Sequence, residues 1–291
     1  MAFRYNYAVV CRIPDSFKEK GQRITANQTI DVEKAREEYR NFLDTLRKCE
    51  VNIVELQEDE SYPDCAFVED CAVVIGGTAL ICRPGLASRQ GEVAEIRKVI
   101  RQELRLKIAE IEDADATLDG GDVLFTGKEI FVGIGHHTNL KGANAVAEAF
   151  PEYVVTSIKI EGALHLKNLI TVAGKQVLAV GSSISARKAY DQMRQSPNFN
   201  YKALKLDSDT AANMLYINGR LIHRTRDEIG EISYSVLDEK ITYAKHKCSI
   251  KEIEKGLGSL SSLVILIAKH RAPKNIVSTV TNDDTCPFAW L

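Results

Sequence analysis

One pattern returns along this chain at nearly constant spacing, and it restricts the available folds more than any single motif does. Polar residues precede a short apolar run, a glycine turn follows, and a second apolar run completes a hairpin. The first copy is Glu69-Asp70, Cys71 to Ile75, Gly76-Gly77, then Ala79 to Cys82. The second runs from Asp119 to Asp122, through Val123 to Phe125 and Gly127-Lys128, to Ile130 to Val132. The third is His165 to Asn168, Leu169 to Val172, Gly174-Lys175 and Val177 to Val180; the fourth is Asn213, Met214 to Ile217, Asn218-Gly219 and Leu221 to His223. Turn glycines at 77, 127, 174 and 219 thus recur every 45 to 50 residues, the mark of an architecture built by repetition. A fifth, partial copy, Ser261-Ser262 before Leu263 to Ala268, needs the N-terminal strand Tyr5 to Cys11 to complete its sheet.

Helices are expected between the hairpins. Val93, Ile96, Ile100 and Leu104 form one apolar stripe, Ala143, Val146, Ala147 and Phe150 a second, and Ala186, Ala189, Tyr190 and Met193 a third. Asp31 can cap a helix carrying Ala35, Tyr39, Phe42, Leu43 and Leu46, with a strand from Val51 to Leu56 after it. Ser249-x-x-Glu252 reads as a capping box before the last strand, and 14–29 as a long polar loop. About five such α/β units can close into a ring, bringing the polar strand mouths Glu69, Asp70, Asp119, His165 and Ser262 to one central site.

The densest of these mouths is Asp119-Gly-Gly-Asp122, where two acids flank two glycines directly before an apolar run. A carboxylate on a constrained turn, with His165 brought beside it, can orient and carry a proton; a plain solvated turn has the same composition. His136-His137 could hold a metal by residue type, but adjacent residues rarely share one ion, and no metal or cofactor is expected. The net charge of -2 argues against a nucleic-acid surface. The longest apolar candidate, Leu263 to Ala268, is far too short to span a membrane, and Met1 to Val10 does not read as a secretion signal. Seven cysteines without a Cys-x-x-Cys pair suggest reduced, mostly packed thiols and a cytoplasmic protein.

Several longer stretches carry a resemblance: Pro63-Asp-Cys-Ala-Phe-Val-Glu-Asp70, Arg83-Pro-Gly-Leu-Ala-Ser-Arg89, residues 116–133, Leu164-His-Leu-Lys167, Val180-Gly-Ser-Ser183 and Asp209-x-Ala-Ala-Asn213. Together they resemble the dimethylarginine dimethylaminohydrolases, a family with a pentein fold of five ββαβ units around a pseudo-fivefold axis. The resemblance covers roughly residues 5–268; residues 1–268 are expected to form one domain, with 269–291 as a tail outside it. It implies hydrolysis of Nω-methylated arginine to citrulline, which relieves inhibition of nitric oxide synthase. A cysteine thiolate attacks the guanidinium carbon, and a histidine protonates the departing amine. By that resemblance His165 is the acid-base histidine and Asp119 its carboxylate partner. Glu69 and Asp70 grip the guanidinium, Asp64 adds a polar contact, Arg89 clamps the substrate carboxylate, and 14–29 is a lid.

Two positions depart from the family pattern. Ser262 in Gly258-Ser-Leu-Ser-Ser262 stands where the nucleophilic cysteine belongs, and His137 stands where a second carboxylate-binding arginine is expected. A thiol ionises near pH ~8.5, whereas a serine hydroxyl needs an aligned base. The expectation is therefore a weak amidine hydrolase, or an inactive homologue that binds a guanidinium ligand or a protein partner. Its partner is an arginine-like small molecule, and it is a monomer or homodimer.

Overall fold

The periodic hairpins become five three-stranded sheets in a computed structural model that describes residues 2–25, 28–195 and 198–269. Four sheets are built alike: an antiparallel pair, a crossover containing a helix, and a third strand parallel to the second. They comprise Ala72–Ile75, Thr78–Ile81 and Lys107–Glu110; Val123–Phe125, Ile130–Ile134 and Val155–Lys159; Ile170–Gly174, Val177–Val180 and Lys202–Lys205; and Leu215–Ile217, Arg220–His223 and Lys245–Lys247. A parallel return cannot be made by a tight turn, which is why a helix recurs in every interval. The fifth sheet closes the ring from the two ends of the domain. Ile265–Ile267 pairs antiparallel with Tyr7–Cys11, Tyr7 opposite Ile267, and Tyr7–Cys11 pairs parallel with Asn52–Leu56. Residues from the first strand of all five sheets line a single cavity of ≈ 140 Å³, so these strands surround a common axis. The architecture is the mixed α/β, pseudo-fivefold ring expected from the repeat.

Local chemistry explains most element boundaries. The Asp31 side chain accepts from the Lys34 N–H and opens the helix Val32–Lys48, whose Ala35, Tyr39, Phe42, Leu43 and Leu46 are buried. Burying a side chain such as Phe42 is worth about 1.5–3 kcal/mol. Asn218 (φ 53) and Gly219 (φ 82) adopt the two left-handed positions of a tight hairpin turn. The third hairpin differs from the expected pattern, because its left-handed residue is Gln176 (φ 59) and Gly174 belongs to the strand. Gly174 is needed for another reason: a Cβ there would lie 2.6 Å from the Tyr243 hydroxyl, which donates to the Ala173 carbonyl.

Two other expectations change. Ser249 does not cap the last short helix; that helix is Lys251–Glu254, and Ser249 Oγ instead donates to Glu228 at 3.3 Å. The free N–H groups of Glu252 and Ile253 go to the Glu38 carboxylate (2.9 and 3.2 Å), a cap supplied by the helix Val32–Lys48. The segment 14–29 is not a structureless loop. It contains the helix Phe17–Lys20, with Phe17 fully buried edge-on against Phe67 (5.8 Å), and Arg23 donates to the carbonyls of Phe17, Gly21 and Gln22. The helix Arg226–Lys240, for which no stripe was named, is interrupted by Gly230 (φ 76), which shifts the phase of its faces.

Six cysteines are buried and unbridged; Cys286 lies outside the described residues, as does the expected tail from 270 onward. Lys269 is still tied to the domain by two hydrogen bonds with Asn6. Among the described residues no helix is long and apolar enough to cross a membrane.

Candidate active site

At each of four strand mouths the chain makes one short 3-10 turn before entering the ring: Val68–Cys71, Gly120–Asp122, Leu166–Asn168 and Ser261–Leu263. Glu69, Asp70, Asp119, Asp122, His165 and Ser262 lie on or next to these turns, and all six are buried. Asp119 is the hub. Its Oδ2 accepts from Nε2 of His165 at 2.9 Å and Nδ1 of His137 at 2.7 Å, and its Oδ1 accepts from the Gly85 N–H at 2.8 Å. Burial alone would raise the Asp119 pKa, but the hydrogen bonds from His137 and His165 outweigh it and hold the carboxyl well below its usual range. Burial in turn disfavours charge on His165, yet the carboxylates of Asp70, Asp119 and Asp122 prevail and push its pKa up to about 9. His165 is thus a charged imidazolium at neutral pH, a proton donor in waiting.

Gly121 makes this packing possible, since a Cβ there would lie 2.7 Å from Nδ1 of His165 and 2.9 Å from Oδ1 of Asp70. Asp122, pushed up to about 6 by burial, holds the other side of the turn. It accepts from Thr138 Oγ1 at 2.6 Å and from the Leu166 N–H at 2.9 Å, linking two strand mouths.

The acids expected to grip a cation already carry cations of the protein's own. Asp70 meets Arg89 at 2.6 Å, and Arg89 also meets Glu92 at 2.8 Å and the Phe67 carbonyl at 3.0 Å. With its fork so engaged and only 5% of its surface exposed, Arg89 faces inward and is held by the protein's own carboxylates in this structure. Glu69 is raised by burial and offset by Lys167, 2.7 Å away, which also donates to the Gly120 carbonyl. His137 likewise meets a carboxylate of the protein's own, Asp119, at 2.7 Å. Asp64, raised by burial, accepts from the Gln22 N–H at 3.1 Å and ties the segment 14–29 to the site.

Ser262 and its neighbour divide the last strand mouth. Among the described residues Ser262 Oγ bonds only to Ser259, at 2.8 Å to the hydroxyl and 3.3 Å to the N–H. Ser261 is the one that reaches the carboxylates, donating to Glu69 at 2.8 Å and held by Asn213 through Nδ2 (3.0 Å) and Oδ1 (3.1 Å). Beside this mouth a cavity of ≈ 220 Å³ is lined by Leu164, Asn168, Asn213, Gly258 and Ser259, with Ile24 from the 14–29 segment.

A model of the eukaryotic N,N dimethylarginine dimethylhydrolases matches residues 13–261. The chain belongs to the dimethylarginine dimethylaminohydrolase family. It is 34% identical to the human protein DDAH2 over 273 residues, covering 91% of this chain and 95% of that one. The dimethylarginine dimethylaminohydrolase of Pseudomonas aeruginosa is 30% identical over 216 residues, covering 72% and 82% respectively. A solved structure of that bacterial enzyme, a cysteine-to-serine mutant complexed with citrulline, superposes with a TM-score of 0.78. It covers 91% of this chain and all of the other; at 24% identity that likeness speaks for the fold.

Lys167, Ser261 and Thr138 contact the candidate site residues through their side chains, Asp122 contacts Thr138 and the Leu166 N–H, and none of the four was assigned a role from the sequence. Lys167 and Asp122 sit inside recognised motifs, so a signal was available. Ser261 was marked only as part of a polar strand mouth and Thr138 not at all, because only the folded turns show which oxygen each one meets.

Proposed function

We propose that this chain is an amidine hydrolase of the dimethylargininase type, working on Nω-methylated arginine or a close relative and releasing citrulline and an amine. Its carrying observation is the buried Asp119–His165 pair among Asp70 and Asp122, which supplies a charged proton donor beside carboxylates suited to a guanidinium. Hydrolysis forms a C–O bond at the guanidinium carbon and breaks a C–N bond; His165 gives the departing amine its proton. Asp64, Glu69 and Asp70 shape the cationic subsite, Arg89 and Lys167 fixing two of those carboxylates in place. Ser262 occupies the nucleophile position, and turnover is slow because among the described residues its hydroxyl meets Ser259 and no base, while Nε2 of His165 is committed to Asp119. Such activity in the cytoplasm would remove an inhibitor of nitric oxide synthase.

One observation favours a second reading, a catalytically inactive protein that binds a guanidinium ligand or a partner. Asp70 and Glu69 are already paired with Arg89 and Lys167, an arrangement that holds without turnover. Citrulline release from asymmetric dimethylarginine by wild type, Ser262→Ala and Ser262→Cys separates the two. The hydrolase reading expects weak wild-type release and a rise with Ser262→Cys. Robust wild-type release abolished by Ser262→Ala would show that serine is an efficient nucleophile and refute the slow-serine assignment. No release from either wild type or Ser262→Cys would leave the inactive reading.

A further inference from the structure

We propose that Cys11 and Cys65 form a site of reversible oxidation, closing to a disulfide when the protein meets hydrogen peroxide. The two sulfurs lie 3.7 Å apart, although their residues are 54 positions apart in the chain. Both also touch one backbone group, the Arg12 carbonyl, at 3.6 and 3.9 Å. A disulfide bond is about 2.05 Å long, so each sulfur has to move by under about 1 Å. Among the described residues no other thiol hydrogen-bonds to a sulfur: Cys71 and Cys248 donate to oxygens, Glu92 and the Ser249 carbonyl, both at 3.8 Å.

The surroundings supply both reactivity and access. Cys11 donates to Cys65, and that bond holds the Cys65 thiol below its ordinary value while pushing Cys11 up. The thiol with the larger thiolate fraction is the one an oxidant attacks. Access comes beneath the exposed stretch 57–61, because Cys11 Sγ lies 3.3 Å from the Gln57 carbonyl and Cys65 Sγ 3.9 Å from that of Asp59. The chemistry balances in two steps. The Cys65 thiolate attacks one peroxide oxygen, forming an S–O bond and breaking the O–O bond, and the hydroxide released takes the proton of Cys11. The Cys11 thiolate then attacks the Cys65 sulfur, forming the S–S bond and breaking S–O, and the second hydroxide takes up the proton that Cys65 first gave to solvent. Two thiols are oxidised and peroxide is reduced to two waters. The bridge ties the end of the strand Tyr7–Cys11, just before the segment 14–29, to the turn carrying Asp64, which itself holds the Gln22 N–H. The inference rests on the placement of these thiols and holds whether or not the protein hydrolyses an amidine.

The test treats the folded, reduced full chain with a small excess of hydrogen peroxide and alkylates the remaining free thiols before unfolding it. The intact mass should show two fewer alkylated cysteines than the untreated protein, and peptide mapping without reductant should recover Cys11 joined to Cys65. Dithiothreitol should reverse both. Closing a loop of this length should raise the melting temperature by roughly 4–7 °C. Cys11→Ser and Cys65→Ser should each lose the bridge and the peroxide-dependent rise, and a cooperative melt of each in dithiothreitol shows that it has folded. Cys286→Ser should form the bridge as wild type does. A full set of alkylated cysteines after peroxide, Cys65 joined to Cys71, oxidation to sulfinic acid without a bridge, a bridged form that melts below the reduced one, or a rise that survives Cys11→Ser would each overturn the pair.

Discussion

Replacing Arg89 by methionine, a side chain of similar length without charge, tests whether this residue is a structural counter-ion. The substitution leaves Asp70 and Glu92 buried with the guanidinium gone, and Asp70 loses a 2.6 Å contact while Glu92 loses a fork. Breaking a buried ion pair from one side costs about 3–5 kcal/mol. For a chain of 291 residues the entropy of unfolding near the midpoint is roughly 0.6 kcal/mol per kelvin, so the melting temperature should fall by about 5–8 °C. The deficit should also depend on pH. Without Arg89 the cheapest relief for two facing carboxylates is a proton, which the folded variant binds and the unfolded chain near pH 7 does not. Its stability therefore rises relative to wild type as pH falls from 7 toward 5. Urea unfolding of both proteins at pH 5, 6 and 7 measures this, and Arg97→Met, at the half-exposed pair with Glu110, serves as a control expected to lose under about 1 kcal/mol. A loss below 1 kcal/mol at Arg89, or one independent of pH, would refute the assignment and return Arg89 to the role of a substrate clamp.

The imidazolium of His165 makes a second pH prediction. Because its folded pKa of about 9 lies above the ordinary histidine value, its stabilisation is complete below about pH 6.5 and is lost as pH rises through 9. The stability difference between wild type and His165→Asn should shrink by up to about 3 kcal/mol between pH 6 and 10; a difference that stays constant means the imidazole is neutral throughout. Gly121→Ala should displace the His165 ring and cost about 1–3 kcal/mol, seen as shifted imidazole resonances and a lower midpoint. Gly77→Ala meets nothing within 4 Å and should cost only the left-handed backbone strain of about 1–2 kcal/mol, with those resonances unmoved. Ser261→Ala should lower stability by about 1.5–3 kcal/mol through its lost bond to the buried Glu69, and Ser262→Ala by less; the reverse order in urea melts would contradict the hydrogen bonding of this strand mouth.

The hairpin repeat was legible because its causes are local. Apolar alternation and a residue pair such as Asn218-Gly219 determine a turn within four residues, and four turns at near-constant spacing with a fifth partial copy imply a ring before any contact is known. The candidate residues were legible by type and position, since acids and a histidine at strand mouths have to converge once the ring closes. Their partners were not. That Arg89 turns inward to Asp70 and Glu92, that Lys167 reaches Glu69, and that His137 shares an oxygen of Asp119 with His165 all depend on segments 18 to 98 residues apart meeting at one point, Arg89 and Glu92 excepted. The same limit applies to Glu38, which caps a helix more than 200 residues away while the local signal at Ser249 pointed to itself. A sequence specifies what each short segment can offer; which offers are taken up is decided by packing, because the burial that brings distant charges together also makes it costly to leave any of them unpaired.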